Sequence, residues 1–194
     1  FKAVELQQTI ENLRSDVLFL SSTPPVQGII RATFNHGIDP LEHNELAVWK
    51  NRFSKILAAF INANPDYYQV RYIGVADGGR ELVRADYLEG FAQATAQNSL
   101  QKKGSRDYFL ATLKLKPGQI YLSEINLNRE HGQVEKPHRR TLRAVTPIYT
   151  PDGKLFGMVA INMNVGPMLD KLAEGMRESI SAYLLNQQGD YLAH

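Results

Sequence analysis

The 194-residue sequence contains no cysteine. Disulfides, thiol nucleophiles and zinc-thiolate sites are excluded, a composition that suits an oxidising compartment and leaves location open on this ground alone. Neither sign of charge is in excess. Twenty-two Lys+Arg against 20 Asp+Glu give a net charge of +2, too even for a nucleic-acid footprint or a polybasic membrane surface. No apolar run approaches the roughly 20 residues that span a bilayer. Catalytic signatures are missing as well: there is no Gly-x-Ser-x-Gly, no phosphate loop and no His-Glu-x-x-His. What is present is an ordinary globular composition, 43% hydrophobic and 22% charged. It is enough for one domain, or one domain and a piece of another.

Leu6, Ile10, Leu13, Val17 and Leu20 recur at spacings of four and three, which predicts a long amphipathic helix over residues 1–22. Ser21-Ser22-Thr23-Pro24-Pro25 ends it, and a short helical stretch follows from Val26 to Thr33. Asp39-Pro40-Leu41-Glu42 has the order of a helix start, with Asp39 as the cap and the helix running to about Ile61. Trp49 lies on its apolar stripe and reads as a core anchor rather than a ligand stacker.

From Tyr67 the period changes to two, predicting strands near 67–75, 81–86, 119–125, 141–149 and 155–163. Asp77-Gly78-Gly79 and Pro151-Asp152-Gly153 supply turns. A helical stretch is expected around Tyr87 to Ala96 and another short one from Asp107 to Leu115. Asn126 to Arg140 reads as an exposed loop or ragged hairpin, and 167–178 as a connecting helix. Tyr183-Leu184-Leu185-Asn186 and Tyr191-Leu192 around a Gly turn repeat the opening of the first sheet. The chain starts inside a helical pattern and stops inside a hairpin, so both ends are expected to be cuts in a longer protein.

Ser105-Arg106-Asp107-Tyr108-Phe109, then Gln119 to Glu124, then Arg143-Ala144-Val145-Thr146-Pro147-Ile148-Tyr149, Asp152-Gly153-Lys154 and Gly157 to Asn162 follow one another in a specific order. This set resembles the double Cache, PAS-like extracytoplasmic sensor domains of bacterial membrane receptors: histidine kinases, diguanylate cyclases or chemoreceptors. The resemblance implies an α+β fold with a PAS-like antiparallel five-stranded sheet, a long N-terminal helix and flanking helices. It divides the chain into a stalk helix (1–22), a membrane-distal module (23–166), and a connecting helix with the first hairpin of a second module (167–194). It further implies a ligand-sensing input domain, not itself an enzyme, on the periplasmic or extracellular side of the inner membrane. Such a domain would be joined to the membrane by flanking helices, pass its signal through the stalk helix and form a homodimer through it.

The implied ligand pocket has Arg106 holding a carboxylate or other anion, Tyr108, Phe109 and Tyr121 as walls, and Ser123, Arg143 and Asn162 as polar contacts. The chain departs from the amino-acid-binding branch at two places: Tyr108-Phe109 stands where that branch has Trp-Tyr, and Asn162 where it has an acid. An amide cannot supply the full charge that holds an ammonium, so a small organic anion or neutral polar compound is expected over an α-amino acid. Arg71, Arg84 and Arg143 also lie in apolar strands, where each needs either a ligand anion or a structural carboxylate such as Glu81, Asp86, Asp107 or Glu124. His36/His43 and His131/His138 are too widely spaced for a metal pair. No cofactor or nucleic-acid partner is expected. The competing function is a soluble binding protein or a hydrolase with no recognisable catalytic motif.

Overall fold

The computed structural model describes the backbone of residues 2–174, 184–185 and 191–193. Three helices come first: α1 (Lys2–Ser21), α2 (Pro24–Phe34) and α3 (Leu46–Ala63). Pro24 and Pro25 sit in the first turn of α2, where a missing N–H costs nothing, so the pair that ends α1 also starts the next helix. The C-terminal half of α1 buries Leu13, Val17 and Leu20 in the main core, each side chain contributing about 1.5–3 kcal/mol.

The expected helix start at Asp39 is not observed: α3 begins at Leu46. The carboxylate of Asp39 is instead fully buried, accepting from Arg31 Nε and Nη2 (both 2.7 Å), Trp49 Nε1 (3.0 Å) and the Leu41 N–H (3.0 Å). Three of these four donors belong to α2 and α3, so the carboxylate is spent on joining those helices and serves only the Leu41 N–H locally. Trp49 is a core residue, as its place on the stripe predicts.

The sheet runs β3-β2-β1-β9-β8-β4, all antiparallel, from β1 (Tyr67–Gly74), β2 (Glu81–Leu88), β3 (Phe91–Ala94), β4 (Tyr121–Leu122), β8 (Arg140–Tyr149) and β9 (Leu155–Asn164). β5 (Asn126–Leu127) also pairs with β8. Seven strands replace the expected five for two reasons. The strand expected over 119–125 is broken into β4 with β5 beyond it. The helix expected over 87–96 is the end of β2 and the edge strand β3, because Glu89 (φ 53°) and Gly90 (φ 94°) make a two-residue hairpin turn with both residues left-handed.

The remaining short elements are α4 (Ala76–Gly79), a single turn between β1 and β2; α5 (Asp107–Thr112); the hairpin of β6 (Arg129–Glu130) and β7 (Gln133–Val134); and α6 (Gly166–Glu174). β10 (Leu184–Leu185) pairs with β11 (Tyr191–Ala193). The connecting helix expected over 167–178 is α6 as far as Glu174, and the expected hairpin strands are β10 and β11; residues 175–183 and 186–190 lie outside the described residues.

α1 and α3 cover one face of the sheet, α1 over β8 and β9 and α3 over β1, β2 and β3, and α2 packs on α3. Val70, Tyr72, Val83, Ala85, Val159 and Ile161 point into that core. A β-bulge between Tyr67 and Gln69 sends Tyr68, with Gln69, Arg71 and Ile73, to the opposite face, which segment 95–135 covers. Every residue of β1 is therefore buried. Among the described residues, no helix is long and apolar enough to cross a membrane.

α2 and α3 approach closely at Gly28, where a Cβ would lie 2.3 Å from the Trp49 ring. Alanine is the better helix former by about 1 kcal/mol, yet Gly28→Ala is expected to destabilise the domain by about 1–3 kcal/mol through overpacking. Urea unfolding of the two proteins gives the sign directly.

Candidate functional site

The face of the sheet away from the helices is polar at its centre, and a backbone clasp fixes what lies over it. Asp77, Gly78 and Gly79 all have positive φ (52°, 68° and 73°). This lets the β1–β2 turn accept hydrogen bonds from the N–H of Lys103 on Gly79 O (2.8 Å) and of Gly104 on Gly78 O (3.0 Å). A Cβ on Gly79 would lie 2.6 Å from the Gly104 nitrogen, so the two chains meet at glycine against glycine. Lys102 Nζ on Asp77 (2.6 Å) adds an exposed ion pair. The clasp holds Lys103 inward and starts α5, which buries Tyr108 and Phe109 against Ile73, Val145, Met158 and Ala160.

Three cations converge beside that apolar cluster. Arg71, 2% exposed, places Nε 3.1 Å from Glu81 Oε1, an ion pair without hydrogen-bond alignment. Its Nη1 donates to Tyr108 Oη (3.3 Å) and its Nη2 to Gln69 Oε1 and to Glu130 Oε1 (2.8 Å). Arg84 Nε donates to both oxygens of Asp86 (3.0 and 2.8 Å), and its Nη1 to Glu130 Oε2 (3.1 Å). Lys103 Nζ donates to Gln101 Oε1 (2.8 Å) and Glu130 Oε2 (3.3 Å). The structural ion-pair reading thus accounts for Arg84 with Asp86 and Arg71 with Glu81, while Asp107 and Glu124 take no part.

Arg143 differs from these. It is 2% exposed, donates from Nη1 to Asn126 Oδ1 (2.7 Å) and from Nη2 to Asn128 Oδ1 (2.9 Å), and leaves Nε buried without a partner. No carboxylate pairs with it among the described residues. Its guanidinium lies 6.0 Å from the Tyr108 ring centroid. Burial pushes its pKa down, and the positive charges of Arg71 and Arg106 push the same way, against Tyr68 and Tyr108.

Of the expected site residues, Tyr108, Arg143 and Asn162 come together here. Asn162 Nδ2 donates to Gln69 Oε1 (2.8 Å), and its Oδ1 is buried with no partner. Phe109 belongs to the apolar cluster and Tyr121 packs against it from β4, partly exposed. Ser123 Oγ donates to Glu124 O (2.7 Å) and accepts from the Arg143 N–H (3.0 Å), so its hydroxyl is engaged with backbone. Arg106 is half-buried at the start of α5, and its side chain has no hydrogen bond or ion pair among the described residues. Gln69, Gln101, Lys103, Asn128 and Glu130 were not among the expected ligand contacts. Only the strand pairs Gln69/Arg71 and Arg84/Asp86 carried a signal, polar residues at i and i+2 within otherwise apolar strands.

Burial lowers the pKa of Lys103 from 10.5 to about 8, with Arg71 adding to the shift and Glu130 and Glu81 opposing it. The neutral form is thus favoured in the folded state, a penalty present in full below pH 8 and relieved as pH rises toward 10.5. Relative to Lys103→Met, the parent protein should gain stability on the order of 1–3 kcal/mol between about pH 7.5 and 9.5. Urea unfolding across that window measures it. Parallel pH profiles would show that Lys103 does not titrate there.

The bacterial histidine kinase sensor domain family matches residues 38–194. A comparison with curated protein sequences finds no match. Among solved structures, the domain of a sensory box/GGDEF family protein from Vibrio parahaemolyticus superposes with a TM-score of 0.71 at 18% identity, over 100% of this chain and 69% of that one. The extracellular domain of a histidine kinase gives 0.68 at 18%, over 100% and 65%. The ligand-binding domain of an amino acid chemoreceptor of Pseudomonas aeruginosa, solved with GABA, gives 0.55 at 17%, over 100% and 71%. This chain spans about two thirds of the length of those domains, and at such identities they share its fold. The α+β class, the antiparallel sheet and the long N-terminal helix inferred from the ordered motifs agree with these neighbours. Together with the family match over most of the sequence, the conclusion is direct: this chain belongs to the bacterial histidine kinase sensor domain family.

Proposed function

We propose that this domain is the extracytoplasmic input of a membrane signalling receptor and that it senses a small organic anion on the polar face of its sheet. The observation that carries the reading is Arg143: a guanidinium buried to 2% exposure, with Nε unpartnered and no paired carboxylate among the described residues. Leaving such a charge unneutralised is costly, and a bound carboxylate repays the cost. Arg106, with no side-chain partner among the described residues, is the second group for that anion. Tyr108, Phe109 and Tyr121 are the walls, and Asn162 Oδ1 is a waiting acceptor for a ligand donor. Ser123 orders the backbone around Arg143. Chemoreceptor neighbours of the same fold hold GABA and isoleucine, both of which carry a carboxylate.

The route outward runs through β8 and β9. These strands carry Arg143 and Asn162 on one face and pack against α1 on the other, and Arg140 of β8 holds α6 through Gly166 O (3.1 Å) and Asp170 (2.6 Å). A ligand that shifts β8 against β9 shifts both helices, to the extent that it binds the two arrangements unequally. A kinase or cyclase output, membrane anchoring by flanking helices and pairing of α1 with a second copy belong to the same proposal.

A thermal-shift screen of small carboxylic acids and neutral polar metabolites tests the reading. A ligand at ~100 times its dissociation constant stabilises the folded state by roughly 2.7 kcal/mol. Arg106→Ala and Arg143→Met are each expected to weaken a hit by about tenfold or more, the loss of a charged hydrogen bond. A hit that stabilises both variants as much as the parent binds elsewhere, and the assignment fails.

A further inference from the structure

Glu130 is not paired as a structural carboxylate usually is. Its two oxygens take six donors: Oε1 accepts from Arg71 Nη2 (2.8 Å), Gln69 Nε2 (3.3 Å) and Asn128 Nδ2 (3.4 Å), and Oε2 accepts from Gln101 Nε2 (2.7 Å), Arg84 Nη1 (3.1 Å) and Lys103 Nζ (3.3 Å). A carboxylate offers about four lone-pair positions, so this one is saturated. Burial alone would raise its pKa, but Arg71, Arg84 and Lys103 outweigh that and hold it well below the usual carboxylate range.

The cage stands apart from the group it holds. Arg71, Gln69 and Arg84 come from the neighbouring interior strands β1 and β2, and Gln101 and Lys103 from the segment clasped at Gly79 and Gly104. Arg71, Arg84 and Lys103 bring three positive charges against the two negative charges of Glu81 and Asp86, leaving one positive charge for an incoming group to neutralise. Glu130 itself sits beside the tip of the β6–β7 hairpin, whose ladder pairs only with itself, next to His131 and Gly132 at left-handed φ (51° and 80°). A groove of about 360 Å³ lined by Arg84, Asp86, Thr95, Gln101, Glu130 and His131 leads to it, and its side chain is 15% exposed. The elements that make the cage are held by the sheet and the clasp; the element that fills it is a short ladder outside the sheet.

We propose that Arg71, Arg84 and Lys103, with the amides of Gln69 and Gln101, form a binding site for a single carboxylate head group, held in this structure by the chain's own Glu130, and that a free monocarboxylate can take its place. Displacement releases the β6–β7 hairpin, and Asn128, which donates to Glu130 and accepts from Arg143, is the side chain through which the two regions touch. The site does not depend on the ligand reading of Arg143.

Chemical rescue tests this. Glu130→Ala removes the carboxylate and opens its space; Glu130→Gln fills the space with a neutral group. Thermal unfolding of each is followed in acetate and formate and in chloride at matched ionic strength and pH. Acetate should raise the midpoint of Glu130→Ala saturably, by at least about 3 °C over chloride, and leave Glu130→Gln and the parent protein nearly unmoved. If Glu130→Ala does not fold in chloride, the readout is the refolded fraction by circular dichroism, expected to recover in acetate. Equal midpoints in acetate and chloride, an equal rise in all three proteins, or failure to refold in either anion would overturn the proposal and leave Glu130 as part of a structural ion cluster. Arg143→Met in the Glu130→Ala background separates the two sites: rescue that persists there places acetate in this cage, and rescue that is lost places it at Arg143 and overturns the cage.

Discussion

Guanidinium groups buried on a β-sheet set the terms for the whole outer half of this domain. Arg71 and Arg143 are almost completely removed from solvent, and each lies on an interior strand with a helix behind it. A charge in that position is tolerated only if donors and acceptors converge on it. The covering segment 95–135 is shaped by that demand: Glu130 reaches inward to Arg71 and Arg84, Asn126 and Asn128 reach Arg143, and Gln101 braces Glu130 and Lys103, all from stretches of chain with little regular structure. The two sides of the sheet are therefore different materials. One is an apolar core of close-packed helices, and the other is a polar network with an apolar patch at Tyr108, Phe109 and Val145.

Such a network has a consequence for signalling. The members of a buried hydrogen-bond network polarise and depend on one another, so replacing one partner changes the energy of the rest. β8 and β9 are the shared wall, with Arg143 and Asn162 on the network side and Leu142, Ala144 and Ile161 on the core side against the helices. The strands that carry the network's residues are thus the ones that α1 touches. The glycine contact between the β1–β2 turn and Gly104 fixes the register of the cover on the sheet.

Much of the scaffold was legible in the amino-acid sequence, and the reason is local. The spacing of Leu13, Val17 and Leu20, the alternation from Tyr67, and the Gly turns are each short-range consequences of 3.6 and 2.0 periodicity, and they return α1, β1, β2, β8 and β9 close to where expected. The ordered motifs from Arg106 to Asn162 were sufficient to indicate the family. Two local readings failed where a competing interaction was stronger. Asp39 looks like a cap but is claimed by Arg31 and Trp49, and residues 87–96 look helical but are turned into a hairpin by left-handed Glu89 and Gly90.

The site divides along the same line. Sequence alone determined that charged residues lie within apolar strands and that Arg143 and Asn162 belong to the sheet. Only the tertiary structure decided which polar group meets which, because those partners lie far apart in the chain: the Glu130 carboxylate reaches the Arg71 guanidinium across 59 residues and the Asn162 amide reaches that of Gln69 across 93. Arg84 finds Asp86 two positions away, a pairing the strand period makes visible, while Arg143 finds no acid at all among the described residues. No periodicity records a contact made when a hairpin folds back over a sheet, since the energy that selects it, the cost of burying an unpaired charge, exists only once the sheet has formed and the water has gone.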